Sequence, residues 1–244
     1  NSTTENVIIG SNAGKGGTGN MINAVIIGSN AANSTAANSH TGIVAIGYDA
    51  LTRLTSGTKN TAVGYRSQDY NRTGVNNTSV GEESLSQLGH DDSDNNTAVG
   101  FQAMRSAGTP NNNDAAQNVA VGSKALTAIL DGDNNVAVGY LAGAAITTGG
   151  SNVIIGTEAG DGFTANTTMT LIGHQAGTTI NSNSANGTVA VGYLSLGALT
   201  GGAENTALGS RSGDAATNAS GSVFLGFDAG GTVTTGNQNI AIGL

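Results

Sequence analysis

The side chains of this chain that could hold an ion or move a proton are few, and their spacing limits what they can do. His90, Asp91, Asp92 and Asp94 fall in one short segment, and Asp131 and Asp133 flank a glycine. Oxygen-rich loops of this kind suit a hard cation such as Ca2+, but neither segment has the spacing of a calcium-loop motif, so solvated acidic loops are the simpler reading. His40, His90 and His174 are far apart in sequence, and no Ser, His and Asp set assembles around them. The absence of cysteine removes thiol catalysis, disulfides and cysteine metal sites together. Acidic residues are dispersed, whereas glycoside cleavage needs two facing carboxylates. The expectation is a non-enzymatic protein with no catalytic residue, metal or cofactor.

Binding through rings or hydroxyls is the other chemistry on offer. Six of the nine aromatic residues directly follow an aliphatic-Gly pair: Tyr48, Tyr65, Phe101, Tyr140, Tyr193 and Phe227. Such a column could stack on the sugar faces of a receptor glycan; the alternative is that the rings cover a groove between subunits. A second column, Thr147, Thr164, Asn181, Thr200, Thr217 and Thr234, occupies one place in six consecutive repeats. Ranked threonines on a flat face would suit ice binding, while their plainer role is that of solvated strand formers beside a buried position.

Both columns are set by a repeat. Gly10, Gly28, Gly47, Gly64, Gly81, Gly100, Gly122, Gly139, Gly156, Gly173, Gly192, Gly209, Gly226 and Gly243 are each preceded by Ile, Val or Leu, at spacings of 18, 19, 17, 17, 19, 22, 17, 17, 17, 19, 17, 17 and 17. Three positions before each glycine stands a β-branched residue, so these two outer residues share one face of a short strand. The middle residue points the other way and is mostly Ala, with Ile, Leu and Phe as larger variants and Ser79 as the one polar exception. Ala or Ser follows three after the glycine, and an apolar residue seven after (Leu54, Leu88, Ile129, Ile146, Phe163, Ile180, Leu199, Val233) predicts a second strand. Asn stands four before the glycine in nine repeats, as a hydrogen-bonded ladder would require.

No segment has helical apolar spacing, so the repeats must stack as coils of an all-β parallel β-solenoid of about 14 rungs, one domain over residues 1–244. The invariant glycine predicts either a positive φ or a close approach of the neighbouring coil. If the outer strand residues form the core of the coil, the middle residues make an apolar stripe that other copies must cover. Both ends carry full-strength motifs, as expected for a fragment of a longer fibre. A net charge of −8 and eight scattered basic residues disfavour nucleic acid, and no apolar run is long enough to insert in a membrane as a helix.

The motifs Asn-Thr-Ala-Val-Gly-Tyr (60 to 65), Asn-Val-Ala-Val-Gly-Tyr (135 to 140), Val-Ala-Ile-Gly-Tyr (44 to 48) and Thr-Val-Ala-Val-Gly-Tyr (188 to 193) resemble the head repeats of YadA-like trimeric autotransporter adhesins. They are also similar to repeats of phage tail fibres and large bacterial surface proteins. The resemblance covers nearly every repeat, although 17 residues is longer than is usual in adhesin heads. It implies a left-handed β-roll, a homotrimer, an extracellular place on a cell surface or virion fibre, and attachment to a host-surface glycan or protein. A tail-fibre shaft or receptor-binding segment is the alternative within that class, and an ice-binding solenoid the alternative outside it.

Overall fold

The computed structural model describes residues 5–16, 21–33, 40–89, 93–108, 113–181 and 184–243. Among them there is no helix, and the chain is an all-β parallel solenoid of about 13 turns with a spacing of about 17 residues. It divides into two compact units, Asn1–Lys124 with Ala128–Asp131, and Ala125–Thr127 with Gly132–Leu244. In the first unit the strands before the corner glycines are Val7–Ile9, Val25–Ile27, Val44–Ile46, Thr61–Val63, Thr78–Val80, Thr97–Val99 and Val119–Val121, each parallel to the next. In the second they are Val136–Val138, Val153–Ile155, Thr170–Ile172, Val189–Val191, Thr206–Leu208, Val223–Leu225 and Ile240–Ile242, paired likewise.

Both reasons for the corner glycine hold at once. Gly139 has φ +137, and a Cβ there would lie 2.5 Å from the carbonyl oxygen of Gly156 and 2.7 Å from its carbon. The two corners are in backbone contact, so only a residue without a side chain fits.

The strand faces are the reverse of the sequence expectation. The middle residue points into its own coil: Ala62, Ala98, Ala137, Ile154, Leu171 and Phe224 are fully buried. The outer residues point away, and Val99, Val121, Ile155, Leu208 and Leu225 are exposed. The coil is narrow enough for an alanine and one larger side chain to fill it, so the smaller residue faces inward. The stripe left for a partner is therefore made by the outer Val, Ile, Leu and Thr.

The expected second strand also fails in most coils. Short second strands pair only at Met21–Ile22 with His40–Thr41 and at Asn218–Ser220 with Thr235–Asn237, among the described residues. Elsewhere the apolar residue seven after the glycine, such as Leu54, Ile146 or Phe163, is buried from irregular chain that adjoins turns and bends. The cause lies at the residues two and four after the glycine, which adopt left-handed backbone, as at Arg66 (φ 51) and Gln68 (φ 51) or at Glu83 (φ 52) and Leu85 (φ 54). A strand cannot run through two such residues. Leucine is a poor left-handed residue, and its fully buried side chain offsets that strain at Leu51, Leu126 and Leu196.

The residue four after the glycine obeys a size rule. It is Leu, Gln or Met (Leu51, Gln68, Leu85, Met104, Leu126, Leu196) where the middle residues of its own strand and of the next strand are both Ala or Ser. It is Gly or Ala (Gly14, Ala32, Gly143, Gly160, Gly177, Gly213, Gly230) wherever either of those two is Ile, Leu or Phe. The contacts explain the rule: a Cβ on Gly160 would meet Leu171 Cδ1 at 2.7 Å and Phe163 Cε1 at 2.9 Å, and one on Gly213 would meet Phe224 Cδ2 at 2.6 Å. Core volume is thus conserved by moving it between two positions.

The asparagine column is the ladder its position suggested. Asn77 N–H donates to Asn60 Oδ1 (2.9 Å) and Asn96 N–H to Asn77 Oδ1 (2.9 Å), while Asn60 Nδ2 donates to Gly74 O (2.6 Å) and Asn77 Nδ2 to Ser93 O (2.7 Å). In the second unit Asn152 N–H donates to Asn135 Oδ1 (3.1 Å) and Asn152 Nδ2 to Asn166 O (2.9 Å). The buried amides of Asn60, Asn77 and Asn152 thus each donate to a carbonyl of the next coil. The acceptors Gly74 and Ser93 both stand seven before a corner glycine, although their steps differ by two residues. In sequence, the two additional residues of that longer step fall between Leu88 and Ser93, and the ladder bond from Asn96 to Asn77 is kept.

Candidate functional site

The aromatic column stands where the chain leaves the corner, one residue after each glycine. Tyr48, Tyr65, Phe101, Tyr140, Tyr193 and Phe227 are all exposed, between 41% and 54%. Backbone bonds fix their places: Arg66 N–H donates to Tyr48 O and Glu83 N–H to Tyr65 O, while in the second unit Arg211 N–H donates to Tyr193 O. The rings of Tyr48 and Tyr65 stack on each other at 5.4 Å and 10°. One face of each ring is spent on the other. His174 belongs to the same column, stacked on Tyr193 at 5.5 Å and 12°. Its position directly after Gly173 was the signal for this, masked in the sequence because the residue is not a six-membered aromatic.

Beside the rings, two residues after the glycine, runs a column that is polar except at Leu141 and Leu194. In the first unit Asn12 donates to Asn30 (3.2 Å) and Asn30 to Asp49 (3.1 Å), while Arg66 pairs with Glu83 (3.7 Å), which also accepts from Gln102 (2.8 Å) and pairs with Arg105 (3.2 Å). In the second unit Gln175 donates to Glu158 (2.7 Å), and Arg211 pairs with Asp228 (3.4 Å) and Asp214 (2.9 Å). The Arg53 guanidinium lies over the Tyr70 ring at 3.7 Å. Asp69 is 5% exposed and pairs with Arg66 at 3.4 Å through Oδ2, while its Oδ1 has no hydrogen-bond partner. Burial pushes its carboxyl up to about 6, against the opposing pull of Arg66 and Arg53.

The acidic candidates do not converge. Asp94 Oδ1 accepts from Val75 N–H (2.6 Å), and Asp131 Oδ1 from Asp114 N–H (3.3 Å). Asp133 accepts Ser151 N–H through its carbonyl (2.9 Å). Asp91, Asp92 and His90 lie outside the described residues. Among the described residues no three metal-binding side chains gather.

In the threonine column, Thr200 and Thr217 hydroxyls donate to Thr217 O and Thr234 O (both 2.9 Å), and Thr147 to Thr164 O (3.2 Å). These hydroxyl protons tie one coil to the next, a use the sequence reading did not foresee.

No family model, no curated protein and no solved structure matches the chain.

Proposed function

We propose that this chain is a segment of a non-enzymatic, adhesive fibre. In this reading it is a left-handed β-roll that works as an extracellular homotrimer on a cell surface or virion. The observation that carries the proposal is the outward strand face. No charged residue occupies either outer strand position in any of the fourteen repeats, yet Val99, Ile155, Leu208 and Leu225 stand exposed. Uncharged stripes of this length are rarely left in water. Copies of the same chain cover such a face by cyclic symmetry, and the number three follows the resemblance to adhesin heads. The aromatic column lies next to this face along the chain and supplies weak, repeated contacts to a host glycan or protein, so that avidity replaces single-site affinity.

Light scattering on the purified chain tests the assembly, with a stable monomer at micromolar concentration overturning it. Val138→Asp should release monomers and leave the far-ultraviolet spectrum intact, whereas Ala137→Asp should unfold the coil. Replacing Tyr140 and Tyr193 by Ala should abolish cell or glycan binding at unchanged oligomeric state; a fall in oligomeric state instead would assign the rings to the subunit seam.

A further inference from the structure

Every coil offers its neighbour the same backbone. The corner glycines meet alike, the asparagines bond alike, and several steps are all 17 residues. A stack that extruded one whole coil and paired its two flanks would keep every corner, and would keep the ladder wherever both flanks carry the asparagine; where one flank has Ile43 or Thr188 instead, a single ladder bond is lost. Such slippage is the characteristic hazard of strands whose pairing is weakly specified. Most of what distinguishes the correct neighbour must therefore come from the packing inside the coil.

Two interior features do so. The first is the size rule. Leu196 is matched to the small Ala190 and Ala207, and extruding the Gly209 coil would bring Phe224 against it. The geometry at Gly213 shows what that means, since even a Cβ there lies 2.6 Å from Phe224 and 2.8 Å from Leu196. The second is a polar triad. Among the described residues, middle, fourth and seventh positions are otherwise apolar or glycine, and the three exceptions, Ser79, Gln68 and Asn71, bond to one another; Thr35, at a seventh position, lies outside the described residues. Gln68 Nε2 donates to Ser79 Oγ and Thr61 O (both 2.9 Å), Asn71 Nδ2 donates to Gln68 Oε1 (2.8 Å), and Ser67 shares a hydrogen bond with Ser79. All four residues are buried, and none of their side-chain atoms lacks a partner. Three polar exceptions scattered at random would not form one closed network spanning two coils. Extruding the Gly64 coil would leave Ser79 facing Leu51 and Ala45, its hydroxyl stripped of Ser67 and Gln68.

We propose that the size rule and the polar triad together form a pairing code that selects, for each coil, the coil it stacks on. The apolar part works by exclusion, because a wrong neighbour collides. The polar part works by satisfaction, because only one neighbour completes the network. Buried polar groups that fix register at the expense of stability have a precedent in the single asparagine of a coiled-coil seam.

The test uses the full chain and its lack of cysteine. Tyr48 and Glu82 are exposed and two coils apart, roughly 9–10 Å at the strand spacing, beyond the reach of a disulfide. Tyr48→Cys with Glu82→Cys should form no intramolecular bond after dilute refolding and oxidation. Adding Ser67→Ala, Gln68→Leu, Asn71→Leu and Ser79→Ala erases the triad and should raise that bond, read by peptide mass, roughly tenfold or more, the scale of one orphaned buried polar group. The second arm joins Tyr193→Cys and Phe227→Cys with Gly213→Leu and Phe224→Ala, so that Leu196 no longer tells its neighbour from the next coil but one. It should give the 193–227 bond. The proposal is overturned if both variants refold without these bonds. Loss of the sheet in both overturns it equally, because coils that obey the size rule must still stack.

Discussion

The coils at Gly64 and Gly81 and those at Gly156 and Gly173 share corners, an inward-facing middle position and left-handed bends, yet their interiors differ. The first pair holds the polar Ser67, Gln68, Asn71, Ser79 and Ser84 beside Leu85 and Leu88, the second the wholly apolar Ile154, Phe163, Leu171 and Ile180 around Gly160 and Gly177. The backbone frame is therefore independent of what fills it. A coil accepts either a closed hydrogen-bond network or an apolar plug, provided that volume and polarity balance across two adjacent strands.

The largest expected effect tests the part that both pairs share. Gly139→Val should cost about 3 kcal/mol or more, because it meets both a positive φ and the next corner's carbonyl, and an unchanged melting temperature would refute this account of the frame. Next comes Gly160→Leu, which overfills the apolar plug and should cost about 2–3 kcal/mol. Adding Ile154→Ala and Leu171→Ala imitates the Leu51 coil and should recover much of the loss in denaturant melts.

In the polar pair, Gln68→Ala should cost about 1–3 kcal/mol by taking from Asn71 its short bond to Gln68 Oε1 and from Ser79 one of its partners, while replacing all four network residues by Ala and Leu should be nearly neutral. Equal losses for the two variants would mean that the network is not a unit.

Smaller again is the pH dependence beside that coil. Asp69 titrates near 6 in the fold against about 4 unfolded, so between these values the folded state holds more proton. Stability should fall as pH rises from about 4 to 6 and stay lower above, by about 1–2 kcal/mol. Asp69→Asn should remove this slope in urea titrations at pH 4.5 and 7.5. The smallest effect belongs to Thr217→Val, about 0.5–1 kcal/mol for one exposed hydroxyl bond.

The repeat, the parallel solenoid and the corner glycines were legible because they depend on a residue type that nothing else can replace, and the asparagine ladder because one amide side chain recurs at a fixed place in most repeats. The strand faces were not. Alternation separates two faces without saying which is inside, and here both are apolar: Val136 and Val138 look like a core, and Ala137 looks like the seam of an interface. The bends were hidden for a related reason, since Leu51, Leu126 and Leu196 adopt a conformation that local preference assigns to Gly and Asn. The alternation of Leu with Gly four after the corner was visible and would have revealed the interior, because residue size at one place tracked size at another. The aromatic column was legible as a position, but the ring stacking within it depends on coil spacing and not on composition.

The return segment has a consequence for how such a chain can be altered. Its length varies while the corner, the ladder and the plug do not, as the longer step between Gly81 and Gly100 illustrates. A lineage can lengthen or shorten that segment in one copy of the repeat without renegotiating the corners or the ladder on either side, and a protein engineer can graft a foreign epitope into the longer step between Gly81 and Gly100 and keep the coils that flank it.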